Sequence, residues 1–500
     1  MGGPARAGEG DRPSAIAGAA SAPTRAARFR TYERLVSHGR AGLRKDALAV
    51  ATAALAAVDP ASALRRSVRI DSGTLCVNDP ATGDERRLAL RGRRVFVVGA
   101  GKASIGMAAV LDELLGPTIA DGAVIVKHGE TPAPPLRHIE VVEAAHPVLD
   151  EQSLRGGLRL LGIAEQAQPA DLLLALITGG SSSLAIVPAG DISFDDKVAT
   201  NRLLLASGAD IVSINIVRKH LSRIKGGQLA AVAGCQIVNL TVSDVVGDPP
   251  DAFTDLTVPD RSTFAMAREV CDRYDLWERL PWSVTARLRR ADPTQETPKP
   301  GAFPPDRTVT IVLANSALLC RAAAREAERL GYAARVVSLE IEGEATLAGR
   351  ALAGQIAGEA PGTALIDGGE NTVALADAHP HDGSGGPNQE AALAAAQELA
   401  GSCCRPAPAA PVPAATGETR PDTGCCVLCL DTDGTDGPTD AAGGLVDDLT
   451  AAEAGERDID VCAALAAHTS RAALAALDDL IVTGPTGTNV NDLKIALRGR

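Results

Sequence analysis

Lys102 is the residue whose neighbours best fit it for chemistry. It sits in Gly99-Ala100-Gly101-Lys102-Ala103-Ser104, directly after the apolar run Val95-Phe96-Val97-Val98. A buried strand that ends in glycines leaves backbone N–H groups free, and a helix start beyond it adds partial positive charge. A lysine presented there can neutralise a phosphoryl or carboxylate group, with Gly99 and Gly101 as candidate cofactor-binding neighbours. A second loop of this kind, Thr178-Gly179-Gly180-Ser181-Ser182-Ser183, follows the apolar residues 172–177. Its glycines, Gly179 and Gly180, let the backbone approach an anion, and Ser181, Ser182 and Ser183 add donors.

The stretch from Asn215 to Gly227 is densely basic in an acidic protein. Read as a helix, it places Arg218, Ser222 and Lys225 on one face by i, i+4, i+7 spacing. Arg218 and Lys225 are candidates for holding an anion, the arginine bidentately. The runs Ser243-Asp244-Val245-Val246-Gly247-Asp248 and Asp431-Thr432-Asp433-Gly434-Thr435-Asp436 set carboxylates at strand ends. Asp244, Asp248 and Asp433 are candidate ligands for Mg²⁺, which normally keeps phosphate oxygens and water as well. The second run departs from a calcium loop, because Ala442 stands where the loop's last glutamate belongs. Named phosphate motifs fit poorly too. A P-loop needs glycine where Phe96 is; a dinucleotide fingerprint needs glycine at Ser104 and an acid near Lys127. Taken singly, each segment also reads as an ordinary turn or a solvated helix face.

Positioning these loops requires strands that alternate with helices. Strands are expected over residues 121–127, 140–144, 171–177 and 236–242, after a helix from about Tyr32 to Val58. The alternation predicts α/β architecture, with two Rossmann-like domains, mainly parallel sheets and a cleft between them. Residues 1–30 read as a disordered tail, 31–290 as the N-terminal domain and 291–307 as a proline-marked linker. Residues 308–500 read as a second domain, beginning with a strand at 308–314 and carrying a disordered insertion at 401–424.

The 500 residues suit two or three domains, and 45% hydrophobic with 22% charged content is that of a soluble globular chain. A net charge of −13 argues against nucleic acid and acidic membranes as partners. No apolar stretch is long enough for a membrane span, and the cytoplasm is the expected compartment. The ten cysteines read mainly as buried free thiols rather than zinc ligands.

Taken together, the segments resemble the glycerate 2-kinase family, the type II glycerate kinases with a MOFRL-type C-terminal domain. The resemblance runs in order through residues 98–104, 145–151, 178–183, 215–227, 243–248, 431–443 and 484–492. It implies phosphoryl transfer from ATP, with Mg²⁺, to the 2-hydroxyl of D-glycerate or a close hydroxy acid. It leaves a homodimer open. The family's essential lysine falls on Lys102, and Asn388, Glu390 and Asn489 become candidate substrate-binding residues. The family arginine in its Gly-Gly-Arg-Asn-Gln-Glu segment is replaced by Pro387. Asp255 and Asp367 add carboxylates in loops of the same kind. These departures imply weakened transfer, with an inactive metabolite-binding homologue as the main alternative and an NAD(P)-dependent hydroxypyruvate reductase as a lesser one.

Overall fold

The strand run Val95–Ala100 (β4) is buried on both faces, and its alternate side chains enter different layers. Val95 and Val97 pack with Met107 and Leu111 of the helix Ser104–Leu115. Phe96 and Val98 pack with Leu160 and Leu161 of the helix Glu151–Gln166. A strand covered by helices on both sides reads as a continuous apolar run, which is the parallel-sheet signature. The computed structural model describes residues 28–129, 135–146, 148–245, 247, 256–374, 385–403 and 423–500.

A small antiparallel sheet of Val68–Asp71 (β1), Thr74–Asn78 (β2) and Glu85–Ala89 (β3) comes first. The first large sheet adds Ile119–Lys127 (β5), Glu140–Ala144 (β6), Leu172–Ile177 (β7), Gln236–Val242 (β8) and Thr308–Ala314 (β9) to β4. Its order is β6-β5-β4-β7-β8-β9, with all neighbours parallel. The order reverses between β4 and β7. In open sheets that is where loops diverge and leave a crevice at the carboxyl ends. The loops of Lys102 and of Gly179–Ser183 both leave from there.

The second large sheet contains Ala333–Ile341 (β10), Thr363–Gly369 (β11), Cys425–Asp431 (β12), Gly443–Asp447 (β13), Leu480–Ile481 (β14) and Asp492–Arg498 (β15). Its order is β10-β11-β15-β12-β13-β14. Only β10 and β11 run parallel; the last strand, β15, inserts antiparallel between β11 and β12. This sheet is therefore mixed rather than mainly parallel.

Three expected boundaries shift. The strand at 308–314 completes the first sheet by pairing with β8, so it does not open a second one. Residues 291–307 are packed rather than a bare linker: Thr297 is buried, and Glu296 accepts from the Phe264 N–H at 3.0 Å and bonds His220 Nε2 at 2.7 Å. The first helix divides into Tyr32–Leu35 and Ala41–Ala57, and the longer part packs on the second sheet beside Ser316–Arg329. One core runs from Val97 and Leu174 through Leu55 and Leu319 to Leu428 and Ile495, joining the two sheets. Residues 1–27 and 404–422, most of the expected tail and insertion, lie outside the described residues; Phe29, at the tail's end, is fully buried. Cys425, Cys426 and Cys429 are buried free thiols inside β12.

Candidate active site

The β4 and β7 loops are knitted together before any ligand arrives. The Thr178 N–H donates to Ala100 O at 3.0 Å, and the Lys102 N–H to Gly179 O at 3.0 Å. The Ala103 N–H donates to Thr178 Oγ1 at 3.1 Å. Gly101 has φ +129°, and a Cβ there would stand 2.1 Å from Thr178 Oγ1, so only glycine allows this approach. Gly180, at φ +86°, turns the chain into the short helix Ser181–Leu184. Among the described residues, the N–H groups of Gly179, Gly180 and Ser182 have no hydrogen-bond acceptor. Open amides grouped in one loop are able to hold an anion. Gly99 plays another part than expected. It lies within β4, where a Cβ would crowd Val124 and Leu176, so its small size serves sheet packing.

Lys102 Nζ donates to Asp433 Oδ2 at 2.8 Å, tying the first sheet's loop to the turn after β12. Burial opposes the ammonium charge, but Asp433, Asp431 and Asp244 outweigh it and hold the pKa above the ordinary lysine value. Asp244, just past β8, packs on Gly179: a Cβ there would lie 2.1 Å from Asp244 Oδ2. Asn489 Nδ2 donates to the same oxygen at 3.3 Å. The Asp431–Gly437 and Gly484–Asn491 turns support one another, with Thr432 Oγ1 donating to Asn491 O at 2.7 Å and the Thr486 N–H to Asp433 O at 3.1 Å. Lys102, Gly179, Gly180, Asp244, Asp433 and Asn489 thus converge from both sheets. Asp248 lies outside the described residues.

The basic segment separates into distinct jobs. Its helix, Ile211–His220, ends before Ser222, so the expected shared face of Arg218, Ser222 and Lys225 does not form. Lys225 instead reaches back, Nζ donating to Ser182 O at 2.6 Å, and fixes the serine loop. Lys219 pairs with Asp260 at 3.1 Å. Arg218 is buried, and among the described residues it has no carboxylate partner; its Nε has no acceptor. Burial lowers its pKa to about 10. Beside it, Lys197 Nζ donates to Arg218 O at 3.3 Å and Leu221 O at 3.1 Å, holding the helix end. Burial, then the charges of Arg218 and Arg287, lower that lysine to about 7.

Asn388 and Glu390 sit deeper than expected, in the helix Pro387–Cys403. Asn388 Nδ2 donates to Asp492 Oδ1 at 2.7 Å and Asp436 Oδ1 at 3.2 Å, while Glu390 pairs with His468 at 2.7 Å. Both are buried; Asn388 positions two carboxylates and Glu390 holds an imidazole. Asp367 is buried opposite Lys494 in the β11–β15 ladder and accepts from the Ser338 N–H at 3.0 Å. Burial holds its carboxyl above the ordinary aspartate value despite the Ser338 N–H and Lys494. Asp255 lies outside the described residues.

Two residues escape sequence reasoning. Glu370, at the end of β11, reaches solvent. Crowding by the surrounding chain, then the charges of Asp492, Asp244 and Glu342, push its carboxyl up to about 7 against the pull of Lys102. His146, just after β6, stands 3.1 Å from where a Gly180 Cβ would be. Burial, then Lys102 and Lys127, lower it to about 4, so the ring is neutral near pH 7. Both lie in recognisable runs, His146 in the 145–151 segment and Glu370 at the end of the Asp367-Gly368-Gly369-Glu370 loop, but nothing in those runs gave either residue a role. No group of three or more His, Cys, Asp or Glu side chains among the described residues forms a metal cage.

Residues 46–289 match the family described as Domain of unknown function (DUF4147), and residues 363–492 match the MOFRL family. A putative hydroxypyruvate reductase from Agrobacterium vitis is 38% identical, covering 86% of this chain and 93% of that protein. The crystal structure of a glycerate kinase from Thermotoga maritima superimposes with TM-score 0.75 at 33% identity, covering 91% of this chain and 99% of the other. The glycerate 2-kinase of Pyrococcus horikoshii is 36% identical over 92% of this chain and 99% of its own length. With likeness of that depth along nearly the whole of both chains, this protein belongs to the glycerate 2-kinase family.

Proposed function

We propose that this protein transfers the γ-phosphoryl group of ATP to the 2-hydroxyl of D-glycerate, giving 2-phosphoglycerate and ADP. The observation that carries the reading is the Lys102 ammonium, set between open glycine-loop amides and Asp433 at the reversal point of a parallel sheet. Phosphoryl transfer asks a protein for position and charge neutralisation more than for covalent chemistry. Lys102 offsets charge on the transferring group, and Asp433 keeps it protonated and aimed. The amides of Gly179, Gly180 and Ser182 hold phosphate oxygens. Glu370, half-ionised near neutral pH, accepts the proton of the acceptor hydroxyl. Arg218 takes the acceptor's carboxylate, because a buried guanidinium without an anion is costly until a ligand supplies one.

Mg²⁺ fits as part of a metal–nucleotide unit. It takes hard oxygen donors and commonly binds through one or two carboxylates plus phosphates, which is what Asp244 and Asp433 offer. When bound, it neutralises phosphate charge. Hydride transfer finds less support. The sheet order is that of dinucleotide-binding folds, but Ser104 occupies the third glycine position and Lys127 ends β5 where a ribose-binding acid belongs. The test is product formation from ATP, Mg²⁺ and D-glycerate, followed by phosphorus NMR. Appearance of 2-phosphoglycerate supports the reading; hydroxypyruvate-dependent NADH oxidation without phosphorylation sinks it.

A further inference from the structure

Beside Lys102 lies a cleft of about 360 Å³ that neither the glycine loops nor the acceptor contacts account for. Its walls are Pro60 and Ala61 of the helix Pro60–Ser67, Ile105 and Gly106 of the helix Ser104–Leu115, Lys127 at the end of β5, and Pro485. We infer that this cleft holds the purine base and ribose of the nucleotide, with the phosphates directed inward to Lys102. The assignment rests on the kinase reading and adds to it the pose of the donor.

Size is the first argument. Ligand sites typically span ~300–1,000 Å³, and a three-carbon acid would leave most of this one empty. Chemistry is the second. Ile105, Ala61, Pro60 and Pro485 give apolar walls suited to a flat ring, and Lys102 and Asp433 also line the cleft and supply its charged end. Lys127 lines it as well, and among the described residues it makes no ion pair. Position is the third: the cleft opens over the carboxyl ends of β4 and β5, next to the reversal point, where a nucleotide-binding half-sheet receives its ligand.

Gly106 supplies an independent observation. It sits in the first turn of the helix Ser104–Leu115, and among the described residues no neighbour demands a glycine there. A Cβ at 106 would meet, among those residues, only the Ala61 Cβ, at 3.7 Å, an ordinary contact. The missing side chain therefore leaves room inside the cleft rather than relieving a clash. The turn carrying Pro485 also bonds Asp433 through Thr486, and Thr488 Oγ1 donates to Val58 O at 3.0 Å, so this wall is tied to the turn after β12 and to the chain just past the helix Ala41–Ala57.

The test compares Gly106→Leu, which fills the cleft, with Gly358→Leu at the exposed end of the helix Ala345–Gly358, where a Cβ meets nothing within 4 Å among the described residues. ADP binding is read by calorimetry, and KM for ATP and for D-glycerate by ADP release. Gly106→Leu is expected to weaken ADP binding and raise the ATP KM by about tenfold or more, with the D-glycerate KM within about twofold. Gly358→Leu should match the wild type. Should Gly106→Leu fail to fold, Lys127→Met is expected to weaken ADP binding by several-fold. A rise in the D-glycerate KM alone, or ADP binding unchanged in Gly106→Leu or in Lys127→Met, overturns the assignment. Loss of ADP binding in Gly106→Leu supports it even if D-glycerate is never phosphorylated, an outcome that would sink only the kinase reading.

Discussion

Lys102, Glu370 and Pro387 each carry a measurable consequence. Removing the Lys102 ammonium leaves the transferring group facing Asp433, Asp431 and Asp244 without compensation. Lys102→Ala is therefore expected to lower kcat/KM by roughly two to four orders of magnitude, about 3–5 kcal/mol of transition-state stabilisation. Glu370 serves as a base only when ionised. With its carboxyl raised to about 7, kcat/KM should fall tenfold per unit as pH drops below neutrality. His146, lowered to about 4, is neutral across that range and does not contribute. A pH profile of Glu370→Gln should lose this acid limb; retention of the limb would remove Glu370 from the mechanism. Pro387 opens the helix Pro387–Cys403, where its missing N–H is no loss, but it offers no charge. Pro387→Arg is expected to raise kcat, though by less than the ~10³–10⁵ an arginine supplies in other phosphoryl transfers. An unchanged kcat would show that another cation already meets the need. Among these residues the sequence pointed to Lys102 and Pro387, because their runs are recognisable. It missed Glu370, whose basicity depends on crowding by the folded chain and then on Asp492 and Asp244 arriving from distant parts of the sequence.

The elements divide in the same way. Strand positions were readable from short runs rich in apolar and β-branched residues: β6, β8 and β9 match their expected ranges residue for residue, although of the three only β8 is buried on both faces. β15 was not, because Asp492 and Lys494 interrupt its apolar run. Both are buried, Lys494 Nζ lying 3.3 Å from Asp492 Oδ2, so the polar positions pair inside the sheet. The membership of β9 was misjudged for a different reason. A run of apolar residues carries no address, and the prolines before it marked a packed crossover rather than a boundary. The helix Ala41–Ala57 shows the same limit, since its partner sheet is formed by residues far along the chain. Arg44 holds it there, fully buried, with Nε 2.6 Å from Asp447 and Nη1 2.5 Å from Asp479. Breaking a buried pair of this kind strands two carboxylates. Arg44→Met is thus expected to cost about 3–5 kcal/mol, seen as a lower denaturant midpoint. The exposed Arg65–Glu113 pair gives the contrast: Arg65→Ala should cost less than about 1 kcal/mol. Equal shifts in the two variants would contradict the role given to Arg44.

At the scale of the molecule, the site exists only because two sheets share a core and meet at their loops. Lys102 comes from one, Asp433 and Asn489 from the other, and Asp244 lies between. An acidic chain thereby concentrates one ammonium among carboxylates and open amides, an arrangement that gains most from a metal–nucleotide with its own balanced charges. The measurement that tests this most directly is ADP release by the wild type and by Lys102→Ala, with ATP, Mg²⁺ and D-glycerate. The account predicts release that depends on D-glycerate in the wild type and falls by roughly 10²–10⁴ in the variant. Release that ignores D-glycerate, or that is equal in the two proteins, would contradict it.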